Sequence, residues 1–309
     1  ITQRYEPVPG DTSNKPWTTG FFKQPVTGPV RIGRLGLEGD AVADTQVHGG
    51  ADKAVLNDSV GDDTLTTTQT YARIVGPSYY AIAHRFPEAR SYSTAGGTDT
   101  AMMFDTKGSD TFVGTTTYGK MTGPNYYALA HGYDYVKAYA QNGGTDTAEL
   151  HDSAGNDTFT STPTYGKMTS AVHYLLATSF EYVKAFAVNG GHDTATMVGS
   201  TGNDILVATP EYAKLYNSTF YVIARQFEAV TVNGQGGTND QARITTSPTN
   251  TAHLNALGDT AQISDLFWAI TVKKFNSVEA INEKATPDTK TVGVTDFVLS
   301  TVGLWTDVP

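Results

Sequence analysis

Apolar and polar residues alternate along most of this chain, and the alternation itself recurs at a fixed interval. In Gly143-Gly144-Thr145-Asp146-Thr147-Ala148-Glu149-Leu150-His151, the residues Ala148 and Leu150 are two apart, the spacing of neighbours on one side of a strand. Edited copies of this string begin at Gly49, Gly96 and Gly190, each 47 residues from the last without insertion or deletion, and a worn copy begins at Gly236. Aligned, the copies give columns. Ala54, Ala101, Ala148 and Ala195 precede Leu56, Met103, Leu150 and Met197, and this pair of columns is predicted to face inward. Leu65, Phe112, Phe159 and Leu206 open a second inward run. In a third run the inward column is Ile74, Met121, Met168 and Leu215. Tyr71, Tyr118, Tyr165 and Tyr212, with Arg73, Lys120, Lys167 and Lys214 two residues on, have the opposite parity and point outward. A further run buries Phe86, Tyr133, Phe180 and Phe227, then Ala89, Val136, Val183 and Val230. It turns Arg90, Lys137 and Lys184 outward, flanked by Tyr92, Tyr135, Tyr139 and Tyr182.

Short strands, recurrent glycine and little helix-period signal predict an all-β parallel β-solenoid of four 47-residue repeats and one degenerate repeat. The repeat domain is expected over 49–282, between an N-terminal cap, 1–48, and a C-terminal cap, 283–309. A loose echo within the repeat suggests two coils of about 23 residues each. The column Gly61, Gly108, Gly155 and Gly202 suggests a left-handed corner in every copy. A propeller blade has a similar length, but hairpin turns between antiparallel strands are not evident.

Composition narrows the function classes. A formal net charge of −10 argues against nucleic acid and acidic membranes as partners. No cysteine is present, which excludes disulfides, thiolate metal sites and a cysteine nucleophile. No apolar run approaches the roughly 18 residues of a membrane span, so no membrane insertion is expected. The chain opens on Ile1 with no signal-peptide pattern and reads as a processed or trimmed fragment.

Three side-chain sets carry candidate chemistry. The aspartate columns include Asp99 and Asp146, Asp105 and Asp152, and Asp110 and Asp157. These six are candidate Ca2+ ligands; the structural alternative is that they cap corners by hydrogen bonding to backbone. Two coils per repeat would separate same-column carboxylates by about 10 Å, far enough for water to screen them. The outward Tyr71/Arg73, Tyr118/Lys120, Tyr165/Lys167 and Tyr212/Lys214 pairs would suit an anionic polysaccharide, rings stacking on sugars and cations pairing with acid groups. Were the chain an enzyme, a polysaccharide lyase or other hydrolase, Tyr118, Lys120, Tyr165, Lys167 and His131 on that face would be its candidate catalytic groups. The histidines show no metal-site spacing. Threonine strings such as Thr158-Phe159-Thr160-Ser161-Thr162 are accounted for by strand propensity, because their columns do not persist between copies.

Two resemblances accompany these patterns. The Gly-Gly-x-Asp and Gly-Asn-Asp strings are similar to the calcium-binding repeats of secreted bacterial RTX proteins, and the whole array to Asp/Gly repeats of large bacterial surface proteins. That likeness implies an extracellular or cell-surface location and a scaffold or adhesion role. The segments Gly20-Phe21-Phe22-Lys23, Gly28-Pro29-Val30, Gly36-Leu37-Glu38-Gly39-Asp40 and His48-Gly49-Gly50-Ala51-Asp52-Lys53-Ala54-Val55 resemble the opening of a MOSC domain. Only that opening is represented, so no molybdenum cofactor is expected.

Overall fold

A computed structural model describes residues 30–32, 41–44 and 52–309. Most of the MOSC-like segment therefore lies outside the described residues. All regular structure among the described residues is β, arranged as one 14-stranded and one 16-stranded sheet. The chain passes back and forth between the sheets and forms the expected β-solenoid. Strands alternate buried and half-exposed positions, as in Thr147–His151. The predicted inward columns meet between the sheets: Ala148, Leu150, Phe112, Phe159, Met121 and Met168 are all fully buried. The core they form runs continuously from Leu65 to Phe297.

The subdivision of the repeat differs from the two equal coils expected. Each copy has five strands. In the copy opening at Gly143 these are Thr147–His151, Thr158–Thr162, Tyr165–Thr169, Tyr174–Thr178 and Tyr182–Phe186. The first and last lie in the 14-stranded sheet, and the middle three form an antiparallel meander in the 16-stranded sheet. Contacts between successive coils are parallel: Thr147–His151 pairs with Thr111–Gly114 of the copy before and with Tyr182–Phe186 of its own. Hairpins therefore exist inside each repeat. Their first turn is set by hydroxyls: Thr115 Oγ1 accepts the N–H groups of Thr117 and Tyr118 at 3.2 and 3.1 Å, and Thr68 and Thr162 form the same kind of turn. A threonine at a strand end does not advertise such a turn as Asn-Gly would.

Because five is odd, each copy begins on the sheet opposite to its predecessor. Thr100–Phe104 lies in the 16-stranded sheet, Thr147–His151 in the 14-stranded sheet, and Thr194–Val198 in the 16-stranded sheet again. A sequence column therefore does not run down one wall but alternates between two.

The left-handed corners are also displaced. In the expected column only Gly61 has a positive φ, at 108°. The left-handed residues that recur from copy to copy here are the pairs Gly96–Gly97, Gly143–Gly144, Gly190–Gly191 and Gln235–Gly236. A second left-handed position falls between the fourth and fifth strands, and it is glycine only once: Arg85, Gly132, Ser179, Gln226 and Lys274 have φ of 60, 81, 64, 62 and 57°.

At the ends, Val30–Ile32 pairs in parallel with Lys53–Asn57, and Ala41–Asp44 with Tyr79–His84. Asp288–Thr295, Val298–Val302 and Trp305–Asp307 supply the last strands of both sheets, each joined in parallel to the coil before.

Candidate functional site

The aspartates lie at the sheet edges, where they link successive coils. The backbone N–H of Asp63 donates to Asp99 Oδ1, that of Asp110 to Asp146 Oδ1 and that of Asp157 to Asp193 Oδ1, each at 2.7 Å. The series continues outward, with Asp99 N–H on Asp134 Oδ2 at 2.8 Å and Asp146 N–H on Glu181 Oε2 at 2.7 Å. Asp105 grips Asn142 twice, accepting its backbone N–H and its Nδ2 at 2.8 Å, and Asp152 holds Asn189 in the same way. All six candidate ligands are buried to 2% exposure or less. The ladder links residues 35–37 apart rather than column mates 47 apart, so the assumed 10 Å column of like charges does not form. Among the described residues no three His, Asp or Glu side chains converge on a point that would hold an ion. Most of these carboxylate oxygens accept from backbone or side-chain donors, whereas Asp110 Oδ1 and Asp157 Oδ1 have no hydrogen-bond partner. A thermal melt with and without chelator is expected to give the same midpoint within a degree or two; a large drop on chelation would restore calcium as a ligand.

Burial has an electrostatic cost here. Loss of solvation, with Glu181 beside one and Glu228 beside the other, pushes the carboxyls of Asp146 and Asp193 up to about 6. Burial raises Asp63, Asp110 and Asp204 as well. His173 departs from a column otherwise made of buried Tyr79, Tyr126, Phe220 and Trp268. Its Nδ1 lies 2.8 Å from Ser170 Oγ, and its Nε2 lies 3.6 Å from Asp157 Oδ1. Ser170 Oγ also accepts the N–H of Val172 at 3.2 Å. In the next copy Asn217 Nδ2 donates to Asp204 Oδ1 at 2.9 Å. His173 occupies the corresponding place beside Asp157, but its Nε2 and Asp157 Oδ1 make no hydrogen bond, and desolvation lowers its pKa.

The outward Tyr and basic pairs are divided between the two faces. Tyr118 and Lys120, with Tyr212 and Lys214, lie on the 14-stranded sheet; Tyr71 and Arg73, with Tyr165 and Lys167, lie on the 16-stranded sheet. Of the candidate catalytic groups, Tyr118 and His131 are cross-strand partners with Lys120 on the same strand, whereas Tyr165 and Lys167 are on the far side of the molecule.

Pairing register brings further residues onto the 16-stranded face. Along its centre Arg73, Thr66, Met102, Lys137, Leu176 and Lys167 follow one another on adjacent strands. One flank carries Tyr135 and Tyr174, with ring centroids 5.3 Å apart. The other carries Tyr71, then Phe104 stacked on Tyr139 at 5.0 Å and 18°, then Tyr165. Arg73 sits 5.8 Å from the Tyr71 ring centroid and Lys137 5.9 Å from that of Tyr135, both in cation–π range. No Asp or Glu occupies an outward position on any strand of this sheet from Thr64–Thr67 to Ala269–Lys273. On the 14-stranded face the cations are mostly paired: Lys53 and Arg90 with Glu88, Lys184 with Glu149, Arg243 with Glu279.

Phe104 and Tyr174 belong to none of the candidate columns, and they meet Tyr139 and Tyr135 only through the register of strands from different parts of the chain. The same mechanism builds a threonine row. Thr160, Thr196, Thr231 and Thr271 stand side by side on consecutive strands of the 16-stranded sheet, though none is the repeat equivalent of another. This face thus has an aromatic, basic half and a hydroxyl-rich half.

A scan against protein-family models, a search of curated proteins and a search of solved structures each returned no match.

Proposed function

We propose that this protein is an extracellular or cell-surface β-solenoid scaffold that docks anionic polysaccharide on the aromatic, basic half of its 16-stranded face. The observation that carries this reading is charge segregation. In a chain of net charge −10, Arg73, Lys137 and Lys167 share one strip with no carboxylate on the same face, while the opposite face neutralises most of its cations locally. Strands stack about 4.8 Å apart, so Arg73 and Lys137, three strands apart, stand about 14 Å from each other, and Lys137 and Lys167, two strands apart, about 10 Å. Such spacing suits acid groups carried at intervals along an extended chain lying parallel to the solenoid axis. Aromatic rows on both sides supply surfaces for sugar rings. Two adjacent polar atoms on the strip, Arg73 Nε and Thr66 Oγ1, are buried without a hydrogen-bond partner.

The test is affinity electrophoresis in gels containing polygalacturonate or dextran sulfate. The triple substitution Arg73→Ala, Lys137→Ala, Lys167→Ala is expected to weaken retardation about tenfold or more, since three half-exposed charge contacts each contribute roughly 0.5–1 kcal/mol. Raising salt should weaken the wild type in parallel. Lys184→Ala, on the other face, should change little. Equal loss in that control, or no retardation of the wild type in either gel, would overturn the proposal.

A further inference from the structure

At the edge of the same strip the surface falls into a cleft of about 420 Å³, between the turn Thr68–Tyr71, the corner Phe104–Lys107 and the residues Gln141 and Asn142. We infer that this cleft is a subsite for a single acidic pyranose unit branching from the docked chain, an inference that rests on the polysaccharide reading above. The volume falls within the roughly 300–1,000 Å³ of small-ligand sites, at its small end. Tyr71 and Phe104 give it aromatic walls, and Phe104 is held in place by its stacking on Tyr139. The exposed Lys107 has no ion-pair partner among the described residues and supplies the positive charge. The Gln141 amide and the Thr70 hydroxyl offer donors and acceptors of the kind ring hydroxyls require. Asp105 also borders the cleft, but it is buried to 1% exposure and each of its carboxylate oxygens accepts a hydrogen bond from Asn142.

The composition of this cleft is particular to one copy. At the positions of Phe104, Lys107 and Gln141 the next copy has His151, Ala154 and Val188, on the opposite face, and the one after has Val198, Thr201 and Gln235. Strand pairing needs none of the three: Phe104 is half-buried and outward, and the other two stand in loops. Their combination of ring, cation and amide beside the docking strip is a departure the fold itself does not require.

The experiment titrates the whole protein with free glucuronate and, separately, with glucose, following backbone amide shifts by NMR. Glucuronate is expected to give saturable shifts at residues 68–71, 104–107 and 141–142 with millimolar affinity, and glucose none. Lys107→Ala and Phe104→Ala, whose melting midpoints should match wild type, are expected to weaken glucuronate at least fivefold. The Arg73/Lys137/Lys167 triple variant should still hold glucuronate while losing polygalacturonate. Equal binding of glucose, or unchanged glucuronate affinity in both cleft variants, overturns the subsite. Glucuronate held by a wild type that ignores every acidic polysaccharide would instead sink the docking strip and leave the cleft standing.

Discussion

Gly144→Ala is expected to lower the melting midpoint by about 4–6 °C, from a loss of about 3 kcal/mol. Two effects add. At φ 117° an alanine is strained whatever the space around it, which costs roughly 1–3 kcal/mol. Its Cβ would also lie 2.1 Å from the carbonyl oxygen of Gly108 in the preceding coil, and that oxygen is backbone rather than the tip of a mobile side chain. Relieving the overlap means prising two coils apart, a further cost of about 1–3 kcal/mol. Gly143 provides the control. It is left-handed as well, at φ 93°, but nothing lies within 4 Å of its would-be Cβ. Gly143→Ala should therefore carry the strain alone, about 1 kcal/mol. Thermal melts followed by circular dichroism measure both, and equal midpoints for the two variants would show that the coil contact does not matter. The same contact recurs between Gly97 and Gly61 and between Gly191 and Gly155, at 2.2 Å each, so Gly191→Ala should repeat the result one coil on.

Replacing Asp146 with asparagine should stabilise the protein at neutral pH. A carboxyl whose folded pKa is raised favours the fold in its protonated form. Its contribution is complete below the unfolded pKa near 3.8 and is lost as pH rises through about 6. At pH 7.5 both Asp146 and Asp193 are therefore charged against the preference of their surroundings. A shift of about two units corresponds to at most about 3 kcal/mol for each. Asparagine keeps the oxygen that accepts the Asp110 N–H and removes the charge beside Glu181. The double variant Asp146→Asn, Asp193→Asn should melt several degrees higher than wild type at pH 7.5 and about equally at pH 4.5. Wild type itself should gain stability as pH falls from 7.5 toward 5. His173 acts in the opposite sense: its folded pKa is depressed, so its contribution is present above the usual imidazole value and is lost as pH falls through the lowered one. Comparing melts across pH with and without His173→Phe, the aromatic type found in its column at Phe220, separates the two. A His173→Phe variant that loses stability monotonically from pH 7.5 to 5 would contradict the aspartate assignment.

Alternation of apolar and polar residues made the strands legible, and it also identified the inward columns from Ala54 and Leu56 to Val230, because side chains on a strand change sides at every residue whatever the strand is paired with. The fixed period likewise implied a coil that stacks on itself. Which copies touch was another matter. Hydrogen bonds join residues 35–37 apart, as in Asp110 to Asp146 and Asp146 to Glu181, and no repetition in the sequence marks that interval.

Five strands per copy, and hence the alternation of copies between faces, depend on hairpins turned by single hydroxyls such as Thr115, a local signal too weak to count strands by. From that parity follow the splitting of the Tyr and basic pairs, the meeting of Phe104 with Tyr139 and of Tyr135 with Tyr174, and the strip that Arg73 shares with Lys137 and Lys167. Which side chains point into the core and which point out is readable from the residue order, since it is a property of each strand alone. The tertiary structure alone decided which outward side chains are neighbours, since that depends on register between strands far apart in the chain.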